Sequence, residues 1–123
     1  MRTDELYTID ESKLYRTVLL LLDLFVKGDF DGLALIDKGG RLSATMMRDM
    51  IHNWPSTLIM PPLDKLNELI NVLEVNDTIP QKWSVYVNFW SEAEDRSDLT
   101  LRLTLTDSPG DYYTVEIDDI EVL

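Results

Sequence analysis

His52 is the only histidine of the chain, and Asp49 precedes it by three residues, a spacing that makes two side chains neighbours on one helix. A carboxylate beside an imidazole tunes it near neutral pH, the pairing that acid–base chemistry uses. Such neighbours are also inexpensive on any helix surface, so a boundary histidine near a helix end is the simpler expectation. A second cluster, Glu116, Asp118, Asp119 and Glu121, crowds carboxylates near the C-terminus. Hard cations take several oxygen ligands, but a strand sends alternate residues to opposite faces, and the spacing is not that of a calcium loop. These residues are expected instead to make a solvated, charged strand edge that discourages strand-to-strand association.

Arg96-Ser97-Asp98 reads as a turn and strand start: Ser97 or Asp98 bonds local backbone and Arg96 pairs with an acid. No partner base marks Ser97 as a nucleophile. Met46, Met47, Met50 and Met60 read as core filling rather than a cofactor box. Glycine-rich phosphate loops, paired metalloprotease histidines and nucleophile elbows are absent. No catalytic residue, metal site or cofactor is therefore assigned.

The elements that hold these residues belong to one domain, because 123 residues suffice for a single core that buries roughly two-thirds of the unfolded surface. We divide it into an arm at 1–9, a mainly helical part at 10–60 and an antiparallel meander at 68–123. Twenty-three acidic against eleven basic residues give a net charge of -12, which opposes nucleic-acid binding and suits a basic protein partner. Without cysteine there is no disulfide framework and no zinc–thiolate site. The apolar run Val18 to Val26 is interrupted by Asp23 and is far short of the roughly 20 residues that span a bilayer. Acidic residues stand where a signal peptide would be basic, so a cytoplasmic protein without a membrane contact is expected.

Asp10 is placed to cap a helix carrying Leu14, Val18, Leu21, Leu22 and Phe25 at helical spacing, and Lys27-Gly28 matches its end. Asp29 caps a short second helix, Gly39-Gly40 breaks the chain, and Ser43 caps a third helix that ends before Trp54-Pro55. Strand-like pattern begins at Leu69–Val75. Trp83, Val85, Val87 and Phe89 then alternate with polar and aromatic residues, and Leu99, Leu101, Leu103 and Leu105 alternate with Thr100, Arg102 and Thr104. In the last strand Tyr113, Val115 and Ile117 share a face, whereas Ile120 and Val122 are out of phase. One extra residue near Asp118-Asp119, a β-bulge, would restore common burial.

Helices followed by a meander call for an α+β fold, with N-terminal helices on one face of a curved antiparallel sheet of about four strands. The other face would carry Tyr86, Trp90, Arg102 and Tyr112, rimmed by Glu116, Asp118 and Glu121. Such a patch suits a protein partner, in an immunity or adaptor role, or a homodimer contact. The competing expectation is a ligand-binding or enzymatic pocket between sheet and helices, drawing on Tyr86, Trp90, His52 and Asp98.

The segments Trp83-Ser84-Val85-x-Val87-x-x-Trp90, Arg96-Ser97-Asp98-Leu99-Thr100-Leu101-x-Leu103 and Val115-x-Ile117-Asp118-Asp119-Ile120-x-Val122-Leu123 resemble an uncharacterised family of small bacterial proteins. Gly39-Gly40-Arg41-Leu42-Ser43 extends the resemblance to about residues 12–123. The order of elements is similar to the cystatin-like, or nuclear-transport-factor-two-like, cone. That superfold hosts isomerases, dehydratases, ligand binders, oligomerisation modules and immunity-like proteins, so it implies an architecture and no single function.

Overall fold

The three expected helix caps all form, in a computed structural model that describes residues 9–123. Asp10 accepts a hydrogen bond from Lys13 N and starts α1 (Glu11–Lys27), which Gly28 ends in the left-handed conformation at φ 74°. Asp29 caps α2 (Phe30–Ile36) through Gly32 N, and Ser43 caps α3 (Ala44–His52) through Met46 N. The N-terminal arm, apart from the buried Ile9, lies outside the described residues. Helices this short owe their stability to what they bury. In α1 that is the stripe Leu14, Val18, Leu21, Leu22 and Phe25. Of the four methionines expected to fill the core, Met47 does so and Met50 packs at its margin. Met46 is 46% exposed because a nine-residue helix turns only a narrow stripe inward, and Met60, 37% exposed, lies in the irregular segment after Leu58–Ile59.

Five antiparallel strands follow: β1 (Leu58–Ile59), β2 (Ile70–Val75), β3 (Lys82–Ser91), β4 (Asp95–Thr106) and β5 (Thr114–Val122). β3 pairs with β4 and β4 with β5. The other side of β3 is shared end to end, with β1 opposite Trp90–Ser91 and β2 opposite Lys82–Val87. Between them Pro61-Pro62 cannot continue a strand, and the chain makes a 3₁₀ turn (Leu63–Lys65) and a short α4 (Leu66–Leu69). Leu69 thus ends a helix rather than opening β2.

Trp83, Val85, Val87 and Phe89 of β3, the leucines of β4 and Val115, Ile117 and Ile120 of β5 meet the helices in one core. Fully burying each such leucine contributes about 1.5–3 kcal/mol. The phase change in β5 is resolved by a bulge. Arg102 pairs with Asp119 but Leu103 pairs with Ile117, so Asp118 is the extra residue and both isoleucines stay inside.

Two further contacts close the structure. α1 is clasped to the segment before β5: Tyr113 OH accepts from Asp10 N at 2.9 Å and Tyr113 N donates to Thr17 Oγ1 at 3.0 Å. Arg16 donates to Asp111 O, and the Lys13 ammonium to Ser108 O. Burial holds the Tyr113 phenol above its usual pKa, against the opposing bond from Asp10. At the outer edge of β5, Lys38 N donates to Val115 O, and Asp37 Oδ1 accepts from Ile117 N at 2.9 Å. The same carboxylate accepts from Gly39 N and Gly40 N. Asp37→Ala leaves those three donors without their acceptor and is expected to cost about 1–3 kcal/mol in urea unfolding. Exposed Asp49→Ala is expected to stay within about 0.5 kcal/mol.

Candidate functional site

The sheet face turned away from the core is organised in rows that cross the strands, about 4.8 Å from one strand to the next. Asn71, Tyr86, Arg102 and Asp119 form one row across β2, β3, β4 and β5. Leu73, Ser84, Thr104 and Glu116 form a second, and Asn88, Thr100 and Glu121 a third. Trp90 stands beyond them, opposite Ile59 on one side and Arg96 on the other. The helices pack on the opposite side, where their buried residues join the core.

Side-chain bonds fix this face. Between Asn88/Thr100 and Trp90/Arg96 the β3–β4 register shifts, and Asn88 Nδ2 spans the irregularity by donating to Ser97 O at 2.9 Å and to Thr100 Oγ1 at 3.3 Å. Arg96 donates to Asn88 Oδ1, so its partner is an amide rather than the expected acid. Thr100 is 1% exposed despite its place in the polar set. Thr104 donates to Asp118 Oδ2 at 2.7 Å, and Arg41 lies 3.9 Å from the other carboxylate oxygen. Arg102 lies 3.7 Å from Glu121. Partly exposed pairs of this kind contribute about 0–1 kcal/mol each, so their effect is to orient side chains and to offset part of the acidic charge.

Tyr86, Trp90, Arg102, Glu116, Asp118 and Glu121 are thus brought onto one face. Tyr112 is exposed but belongs to the turn before β5, off the rows. Asp98 is exposed on β4, and its carbonyl accepts from Leu123 N and Thr100 Oγ1. His52 lies elsewhere, at the end of α3, edge-on to Phe30 at 6.0 Å. It lines a cleft of about 490 Å³ with Lys27, Trp54 and Leu58, which neither Asp98, Tyr86 nor Trp90 reaches. Its helical neighbour Asp49 is 4.0 Å from Arg48. Apolar side chains from both layers pack together in the core, and the recess that opens between α1 and β2 is lined by none of Tyr86, Trp90, His52 and Asp98.

Glu94, in the turn between β3 and β4, was not legible as a site residue. Its Oε1 accepts from Trp54 Nε1 at 3.0 Å, Ser91 Oγ at 3.1 Å and Ser97 Oγ at 3.0 Å. Ser97 also accepts from Leu99 N, the local backbone bond its position suggests. At 1% exposed it cannot meet a substrate, so its proximity to a carboxylate serves architecture. The spacing Ser91-x-x-Glu94-x-x-Ser97 across a tight turn is the one sequence signal of this pin. Trp54 comes from 40 residues away.

Together the fold and the bare face define a small acidic α+β domain with a polar–aromatic sheet surface. Residues 22–123 match a family described as a domain of unknown function, DUF7668, and the chain belongs to that family. No curated protein and no solved structure matches the chain. Among the described residues no helix is long and apolar enough to cross a membrane.

Desolvation raises the Glu94 pKa, but the hydrogen bonds from Trp54, Ser97 and Ser91 outweigh it and hold the carboxyl below its ordinary value. A depressed folded-state pKa contributes stability above the unfolded value, lost as pH falls through the folded one. Glu94→Gln is therefore expected to lower the urea midpoint at pH 7, with the gap to wild type closing below about pH 4. Equal gaps at pH 7 and pH 3 would show that the ionised form is not what the three donors hold.

Proposed function

We propose that this protein is a non-catalytic protein-interaction module, of adaptor or immunity type, whose open sheet face takes a basic partner. The observation that carries this reading is the fixed placement of Tyr86 and Trp90 beside Arg96 and Arg102 on the face opposite the described helices. Trp, Tyr and Arg are the residue types that dominate interface energetics. Their neighbours are already bonded to one another, so little side-chain freedom remains to be lost on association. The net charge of -12 supplies the long-range attraction.

The packing of α1 over a meander supports a cystatin-like reading of the architecture, and the absence of cysteine supports a reducing cytoplasm, here of a bacterium. The cleft beside His52 supports a second reading, a small-ligand binder, through its aromatic lining from Phe25, Phe30 and Trp54.

Affinity capture under native conditions, followed by purification of the retained protein and titration, tests the first reading. The expected partner is basic, binds more weakly as salt rises, and loses about tenfold or more in affinity to Trp90→Ala or Tyr86→Ala. A partner indifferent to both substitutions, or a homodimer in sedimentation that both abolish, would replace this reading.

A further inference from the structure

The two long edges of the sheet are treated differently. The outer edge of β5 is occupied by Lys38 N on Val115 O and by Asp37 on Ile117 N. No strand among the described residues pairs with the outer side of β2. In an antiparallel edge strand, half of the backbone N–H and C=O groups point outward. Proteins usually blunt such an edge with lysine, proline or a bulge. β2, Ile-Asn-Val-Leu-Glu-Val, has none of these, its one charged residue being Glu74, and its pairing with β3 runs without a register shift. Only at its end is a carbonyl occupied by side chains, Val75 O accepting from Thr78 Oγ1 and Gln81 Nε2.

Beside this edge lies a recess of about 340 Å³ between α1 and β2, lined by Leu14, Tyr15, Ile70 and Val72 with Glu11, Asn67 and Asn71. On the open face Leu73 is 60% exposed. A strand added to β2 would send alternate side chains into the recess and cover Leu73 with the others. Glu11 lines the recess, Glu74 stands on the strand, and among the described residues no lysine, arginine or histidine lines the recess. The edge thus combines outward backbone groups, the apolar side chains of Leu14, Ile70 and Val72, and the carboxylates of Glu11 and Glu74.

We infer that the outer edge of β2 binds an extended segment of a partner chain in which aliphatic residues alternate with lysine or arginine, by strand addition. This contact is separate from the open face and stands whether or not that face has a partner.

The test uses the full chain and a blocked heptapeptide of alternating lysine and valine, followed by amide chemical shifts and hydrogen exchange. At millimolar peptide the shifts are expected in residues 70–75 and 11–15, with exchange at the outward amides of β2 slowed about tenfold. A valine–glutamate heptapeptide and a proline-interrupted lysine–valine one are expected to do neither. Glu11→Lys and Glu74→Lys, both outside the core cluster, are expected to weaken binding about tenfold together, or about 1.4 kcal/mol. Four results overturn the inference: no shift at millimolar peptide, equal binding of the glutamate peptide, shifts confined to the face of Tyr86 and Trp90, or outward amides of β2 already protected without peptide. The third leaves the open-face reading intact. The last assigns the edge to a second copy or to residues 1–8, which sedimentation distinguishes.

Discussion

The leucine face of β4 is the constraint on which the other elements depend. Leu99, Leu101, Leu103 and Leu105 are at most 4% exposed, and a strand in the middle of a sheet cannot bury them by itself. β3 and β5 flank them with matching apolar residues, and the helices close over the top. A one-residue slip in either pairing would turn that strand's apolar set outward. Both irregularities in the sheet are compatible with this demand, and one of them answers it. At Asp118 an added residue keeps Ile117 and Ile120 on the leucine side. Beside Asn88 the shift adds two residues to β4, which leaves its alternation unchanged, so Ser97 stays on the inward face with Leu99.

Features set by neighbours in the chain were readable from the sequence. The caps at Asp10, Asp29 and Ser43 and the stop at Gly28 depend on side chains within a few residues of the amides they serve. The bulge could be read because a phase error in an alternating strand has few physical remedies. β1 and α4 were not readable. A two-residue strand has no period, and α4 is a single turn whose Leu66 and Leu69 are buried by packing rather than by local pattern. The same division runs through the candidate site. Alternation put Tyr86, Trp90 and Arg102 on one face, but cross-strand registry was needed to seat Arg102 next to Glu121. Glu94 escaped because Trp54, the most distant of its three donors, reaches it only through the tertiary fold.

The acidic C-terminal residues illustrate how charge in a sequence differs from charge on a surface. Asp118 is spoken for by Thr104 and Arg41, and its side chain is only 11% exposed, while Asp119 turns its carboxylate back on Ile120 N. What faces solvent includes two cation–acid pairs, Arg41 with Asp118 and Arg102 with Glu121. Such a surface favours a partner with matching positions over one that is merely positive.

The clasp between α1 and the segment before β5 joins residues as much as 103 apart in sequence. The β3–β4 and β4–β5 pairings, by contrast, close over the short connections 92–94 and 107–113. Closing a large loop costs entropy that hairpins do not incur, and chains rich in distant contacts fold more slowly. In this topology the clasp therefore carries a larger loop-closure cost than either hairpin, and it is a contact of the kind that slows folding.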